Sequence, residues 1–180
     1  QFRQSIRDVL QVVLTSPQFL FLIEESTSPD SESLNEYELA SRLSYIFWNA
    51  PPDDVLMTLA AKGQLSHQLD EQLDRLLKDA RADRFVNQFA AEWLALDRFD
   101  VVATDSDRFP KLTRDTKTQL RREPAEYLRH LIRSNSPLRN LVTSDFVVAN
   151  DVVAQYYGLT SENGLDFQPV AITDPQLGGL

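Results

Sequence analysis

The stretch LSYIFWNAPPDDVLMTLAAKGQLS, residues 43–66, decides the fold prediction because it holds two helix ends and one helix start. Pro51 disfavours the helical conformation of the residue before it, so the first helix must end there. Pro52 suits the first turn of the next helix, where Asp53 is stabilised by the helix dipole. Gly63 is suited to end that second helix. The stretch therefore predicts two helices joined by a tight corner, and it contains no recognisable catalytic motif.

Helical spacing of apolar residues extends through most of the remaining chain. It is visible in residues 2–15, 39–47, 69–77, 81–96, 113–133 and 150–157. We therefore predict an all-α fold, an irregular multi-helix bundle of about seven helices with little or no sheet. Residues 97–112 are rich in Asp, Thr and Ser and are a predicted loop. Pro124 is predicted to kink or split its helix, because an interior proline removes a backbone hydrogen bond.

The length of 180 residues suits one domain with a substantial core. We interpret residues 1–180 as a single helical domain that is a fragment of a larger chain. Residues 1–25 could also be the end of a preceding module. The polar stretch STSPDSES, residues 26–33, is the predicted flexible loop. The apolar segment at residues 19–23 is far too short to span a bilayer, so no membrane insertion is expected.

Charge and cysteine content exclude several classes of function. The net charge of −9 argues against nucleic acid or an anionic membrane as the main partner. The charge is uneven, since residues 111–140 carry eight basic and three acidic side chains. There are no cysteines, which excludes disulfides, thiolate catalysis and covalent haem attachment within this segment.

No residue is predicted to be catalytic or to bind a metal. His67 and His130 have no partner at metal-ligand spacing, and no serine lies in a G-x-S-x-G motif. The remaining polar set of interest is Arg122, Arg129 and Arg133, which share one helix face. Their guanidinium groups could bind an acidic partner or a sister domain, or could form internal ion pairs with the acidic first half of the chain.

Two further hypotheses belong to other classes of function. In the first, the chain is an accessory domain of a hydrolase or oxidoreductase whose site forms at a domain junction. Its candidate acids are Glu92 and Glu123, because burial beside apolar faces could raise a carboxyl pKa. In the second, exposed aromatic residues bind carbohydrate. That hypothesis requires Trp48 or Trp93 on the surface, and helical spacing predicts that both are mostly buried.

Several blocks of sequence together resemble one family. They are LSYIFW at residues 43–48, PDDVL at 52–56, AAKGQLS at 60–66, FAAEWL at 89–94, SDF at 144–146 and AQYYGL at 154–159. The chain resembles the planctomycete cytochrome-associated multidomain proteins of unknown function, of the domain of unknown function 1592 type. The resemblance covers most of the chain in the right order.

This resemblance implies a role without assigning any catalytic residue. It implies a non-catalytic structural or interaction module of an exported protein, periplasmic or at the cell surface, whose contacts are sister domains of the same chain. It places a c-type haem elsewhere in the full-length chain and no cofactor in this segment. The sequence departs from the family at Pro124 and at Leu177, where an arginine commonly precedes the two glycines. Oligomeric state is left open.

Overall fold

The computed structural model describes residues 2–21 and 34–180. Its α-helices are α1 (Phe2–Leu14), α2 (Pro17–Leu20), α3 (Glu36–Trp48), α4 (Asp54–Ala61), α5 (Leu69–Lys78), α6 (Ala82–Trp93), α7 (Leu96–Val101), α8 (Arg114–Arg133) and α9 (Asp151–Tyr156). Two short strands, β1 (Phe146–Ala149) and β2 (Gln168–Ala171), pair antiparallel. Turns of 3₁₀-helix lie at Ser66–Gln68, Leu138–Leu141 and Pro175–Leu177. This architecture confirms the predicted fold class, mostly helical with little sheet.

Helix starts follow the local sequence closely. Asn35 and Glu38 form a reciprocal cap, in which the Asn35 side chain accepts from Glu38 N at 2.9 Å and Glu38 Oε2 accepts from Asn35 N at 2.8 Å. Asp53 caps α4 by accepting from Leu56 N at 3.0 Å. Between α3 and α4, Asn49 turns the chain with a φ of 48°. The corner predicted from residues 43–66 is therefore present, but Pro52 precedes the cap of α4 instead of lying in its first turn.

The chain divides into two compact units, one comprising residues 1–43 and 52–69 and the other residues 44–51 and 70–180. The prediction of one domain over residues 1–180 stays a prediction. The predicted loop at residues 26–33 lies outside the described residues, as do residues 22 and 23. In the first unit, the Glu36 carboxylate accepts from Leu65 N at 2.6 Å and from Ser66 Oγ at 2.5 Å. These bonds tie the start of α3 to the segment after α4.

The second unit is organised around α8. Helix α6 packs on α8 through a cluster of small and aliphatic side chains, Val86, Ala90 and Leu128. Strand β1 and helix α9 also pack on α8. In the same unit Trp48 is fully buried and donates from Nε1 to the Leu76 carbonyl at 3.0 Å, as predicted for its burial. The guanidinium of Arg81 lies 3.4 Å from the centre of the Trp48 ring.

Pro124 does not split α8, which is continuous over Arg114–Arg133. Of the two predicted effects of this proline, the split is therefore wrong, and the kink stays a prediction. An interior proline costs about 3 kcal/mol in an isolated helix because it cannot donate to the carbonyl four residues earlier. Here that carbonyl belongs to Leu120. Packing of α8 against α6, α9 and β1 outweighs this local cost, since tertiary burial commonly overrides helix propensity.

Candidate functional site

A cavity of about 390 Å³ lies in the second unit, against the middle of α8. Its walls are mostly apolar or aromatic, and they come from four parts of the chain. They are Leu94, Leu96 and Phe99 around α7; Leu120, Arg121, Glu123 and Pro124 of α8; Tyr156 and Tyr157 at the end of α9; and Leu177, Gly179 and Leu180. A cavity of this size with few polar groups is typical of small-molecule binding sites.

The α7 wall depends on a sharp bend after α6. Ala95 separates the two helices and adopts the left-handed conformation, with φ 50° and ψ 45°. Because of this bend, Leu94 and Leu96 on either side both reach the cavity. The sequence predicted a loop at residues 97–112, so α7 at Leu96–Val101 corrects the first part of that prediction.

The wall formed by the last residues depends on two glycines. A Cβ at Gly178 would overlap the Ser144 carbonyl oxygen, and one at Gly179 would lie 2.5 Å from the Val142 carbonyl oxygen. Leu180 N donates to the Leu141 carbonyl at 3.0 Å. The two glycines therefore allow the chain to lie close enough for Leu177 and Leu180 to reach the cavity.

Glu123 is the acidic group in this cavity. Tyr157 Oη donates to Glu123 Oε2 at 2.6 Å, and within residues 2–21 and 34–180 Glu123 has no other hydrogen-bond partner. Burial raises the pKa of the Glu123 carboxyl from its ordinary value of 4.5 to about 7, although the Tyr157 bond acts in the opposite direction. Burial and the neighbouring Glu123 charge raise the pKa of Tyr157, so its hydroxyl stays a donor.

Arg121 lines the same cavity, but its charge is directed elsewhere. Its Nε donates to Asp100 Oδ2 at 2.7 Å, and its Nη2 lies 3.3 Å from Asp97 Oδ1. Both aspartates belong to α7, so the pairs join α8 to α7. As a result, no cation of the described chain forms an ion pair with Glu123.

The predicted arginine face is held by internal ion pairs. Arg129 is only 15% exposed and bonds Asp83 of α6 at 2.9 Å as well as Glu126. Arg133 reaches the same Asp83 at 3.1 Å. Arg122 lies 3.5 Å from Glu126, and its guanidinium lies 5.0 Å from the centre of the Phe167 ring. This matches the internal alternative raised by the sequence, while a role for Arg122, Arg129 and Arg133 in partner binding stays a prediction.

The two candidate acids have different surroundings. Glu92 is exposed on α6 and accepts from Gln88 Nε2 at 2.9 Å. Glu123 is largely enclosed and lies beside Tyr157. The sequence identified Glu123 as a candidate. It could not identify Tyr157 as its partner, because the two residues are 34 positions apart and no local pattern links them.

Trp93 differs from its prediction, because it is 51% exposed rather than mostly buried. The face of α6 that is buried carries Ala82, Val86 and Ala90. The aromatic residues lie on the adjacent face, where Phe85, Phe89 and Trp93 follow one another with ring centres 5.4–5.6 Å apart. Small side chains on the buried face let α6 approach α8 closely, which places the aromatic stripe at the edge of the contact.

Helix α1 has the most exposed apolar surface in the first unit. None of its residues is buried. The large apolar side chains exposed on it are Phe2, Ile6, Val9, Leu10, Val12, Val13 and Leu14. Phe19, Leu20 and Phe21 are exposed just after it, within the apolar segment predicted at residues 19–23.

Two searches of the described residues gave negative results. Across residues 2–21 and 34–180, there is no group of three or more His, Asp or Glu side chains that could hold a metal ion. Over the same ranges, no helix combines the length and apolarity needed to cross a membrane.

Comparison with known proteins identifies a family. The family model described as PSD4, protein of unknown function (DUF1592), matches residues 34–159. The searches of curated proteins and of solved structures returned no match. The matched range includes Glu123 and Tyr157, and it ends before β2 and the last residues that line the cavity.

Proposed function

The chain belongs to the DUF1592 family of proteins of unknown function, and we propose that it is a non-catalytic interaction module. In this proposal the apolar face of α1 docks on a sister domain of a longer chain. The observation that carries it is that α1 buries none of its residues although it is strongly amphipathic.

The pattern of α1 requires a partner surface. Phe2, Ile6, Val9 and Val13 recur at helical spacing and form one apolar stripe. An isolated helix of 13 residues is marginal in water, and most helices are stabilised by packing of their apolar face. A contiguous exposed apolar patch of this kind marks an interaction site. Phe19 and Phe21 extend the apolar surface beyond α1.

Arg122 and Arg133 offer a second contact of different chemistry. Their side chains are half-exposed or more, so they can meet an acidic group of a partner while keeping their bonds to Glu126 and Asp83. Arg129 is mostly buried between those acids and would position the other two. In this proposal the arginine face is a separate contact of the second unit, and its charge complements an acidic group of a partner.

The setting of the module rests on the resemblance described for residues 43–66 and the other blocks. We infer a larger exported chain, periplasmic or on the cell surface, that carries a c-type haem outside this segment. The module itself would hold no cofactor. Its role would be to position neighbouring domains relative to one another.

The test is to mix this chain with the neighbouring domains and to measure complex formation by size-exclusion chromatography with light scattering. We expect a complex with a Kd below about 100 µM, which is the range of weak domain interfaces. The double variant Ile6→Asp/Leu10→Asp should abolish it, because it places charge on the apolar face. Gln4→Glu is the matched control, since Gln4 lies on the polar side of α1, where it bonds Asp8, and should not change binding.

Two results would contradict this proposal. One is the absence of any complex at high micromolar concentration. The other is equal binding by the double variant and the Gln4→Glu control, which would mean that the apolar face is not the contact. Formation of a homodimer instead of a complex with a neighbouring domain would replace the sister domain by a second copy of the chain.

A further inference from the structure

The cavity beside α8 contains an acid without a counter-charge, independently of any docking by α1. Glu123 accepts one hydrogen bond, from Tyr157 to Oε2, and Oε1 accepts none from the described residues. The only cationic side chain in the walls, Arg121, is paired with Asp97 and Asp100. Enclosing a carboxylate without a cation is costly, so such a group in a cavity favours a cationic ligand.

The other walls suit the body of such a ligand. Tyr156 and Tyr157 supply aromatic rings, whose faces attract organic cations, while the Phe99 ring already has Lys117 Nζ 5.3 Å from its centre. The remaining walls are mainly aliphatic, from Leu94, Leu96, Leu120, Leu177 and Leu180. These surfaces exclude water and fit an apolar group. A simple metal ion would find a single carboxylate, which is fewer than the several oxygen ligands that such an ion prefers.

A second acceptor lies one helical turn before Glu123. Pro124 has no N–H, so the Leu120 carbonyl lacks the helix hydrogen bond that residue 124 would otherwise donate. Leu120 and Pro124 both line the cavity. An ammonium group has several N–H donors, and it can use this carbonyl together with the Glu123 carboxylate. The proline that departs from the family pattern thus has a local consequence at the cavity.

We propose that this cavity binds a small organic ammonium ion that carries an apolar or aromatic group, with its charge against Glu123 and its body between the aromatic walls. The ligand is bound without any covalent step. Tyr157 is a positioning residue, because it holds one carboxylate oxygen and leaves the other facing the ligand.

The direction in which ligand binding changes with pH follows from the groups that line the cavity. With a pKa of about 7, Glu123 is mostly protonated at pH 6 and mostly ionised at pH 8. An alkylammonium keeps its proton over this range, as lysine does. Arg121, Tyr156 and Tyr157 are the other ionisable groups in the walls. Binding should therefore strengthen about tenfold between pH 6 and pH 8.

The experiment is calorimetric titration of the 180-residue chain with 2-phenylethylammonium, benzylammonium and tetramethylammonium. We expect at least one of them to bind at pH 8 with a Kd of about 1 mM or tighter. The neutral analogue 2-phenylethanol and the anion phenylacetate should bind at least about tenfold more weakly, because neither pairs with a carboxylate. Release of a proton on binding at pH 6 would identify the ionised acid as the receptor.

Glu123→Gln should weaken ammonium binding by about tenfold or more, because it removes the charge and keeps the size of the side chain. Glu92→Gln is the matched control, since it removes the same charge from an exposed position on α6, and it should leave binding unchanged. If Glu123→Gln does not fold, the pH series on the unmodified chain tests the same charge.

Any of four results would overturn the proposal. They are no saturable binding of the three ammonium ions below about 10 mM, equal binding of 2-phenylethanol, equal affinity at pH 6 and pH 8, or equal loss of affinity in the two glutamate variants. None of these results bears on the docking of α1, because Ile6 and Leu10 are outside the cavity.

Discussion

Helices α1 and α8 are both amphipathic, yet their surroundings differ completely. Helix α1 has no buried residue, whereas α8 buries Thr116, Tyr127, Leu128 and Leu131. In α8 the apolar face meets α6, α9 and β1 within the same unit. The comparison teaches that periodicity predicts which face of a helix requires a partner. Periodicity does not predict whether the partner surface lies within this chain.

The polar sides of the two helices differ as well. On α8, arginines reach acids of neighbouring helices, including Asp83 on α6 and Asp100 on α7. On α1, Gln4 Nε2 donates to Asp8 Oδ1 at 2.9 Å, one turn along the same helix. These ion pairs of α8 thus join it to other helices, whereas this bond of α1 lies within the helix.

The difference between α1 and α8 is tested most directly by replacing one leucine in each helix with alanine. Leu131→Ala should lower the free energy of unfolding by about 3 kcal/mol, because it opens a cavity at a side chain that is 6% exposed. Leu10→Ala should change it by less than about 0.5 kcal/mol. Urea unfolding followed by circular dichroism measures both. Equal losses would mean that α1 is buried in the chain in solution, contrary to the structure.

The arginines of α8 sharpen the comparison further. Arg129→Ala should cost about 2 kcal/mol, because it leaves Asp83 and Glu126 without their enclosed partner. Arg122→Ala is the matched control, since Arg122 is half-exposed and its loss should cost less than about 1 kcal/mol. The same unfolding measurement separates them. If both variants lost the same small amount, the ion pairs of Arg129 would contribute no more than an ordinary surface pair.

The smallest effect concerns the enclosed acid of α8. Because the pKa of Glu123 is raised from 4.5 to about 7, the folded chain holds a proton that the unfolded chain releases between these values. The contribution of protonated Glu123 to stability is therefore complete below pH 4.5 and is lost as the pH rises to about 7. Glu123→Gln should remove this decline, because the amide does not titrate.

Stability measured at several pH values between 4.5 and 8 tests this expectation, with Glu92→Gln as the control. The difference between the unmodified chain and Glu123→Gln should change with pH, while the difference for Glu92→Gln should stay constant. A constant difference for both variants would show that Glu123 titrates in its ordinary range.

Local signals allowed much of the fold to be predicted from the sequence. The start of α4 rests on Asp53, whose side chain bonds a backbone N–H three residues later, so a short window contains the information. The corner after α3 follows from two prolines. The mostly helical class follows from the spacing of apolar residues.

Features that depend on distant parts of the chain could not be predicted in the same way. The pairing of Phe146 with Ala171 and of Val148 with Pro169 joins segments with no shared local pattern. The exposure of Trp93 depends on the small residues by which α6 meets α8. At the cavity, burial marked Glu123 as a candidate, but its bond to Tyr157 and the missing counter-charge required the three-dimensional structure.

The bend at Ala95 has an energetic consequence for the cavity. A left-handed conformation costs an L-alanine about 1–2 kcal/mol compared with glycine, and nothing in the side chain of alanine offsets that cost. Packing of Leu94 and Leu96 must supply the compensating free energy. The bend at Ala95 is therefore maintained by the packing of Leu94 and Leu96. A ligand in the cavity would contact these two side chains directly.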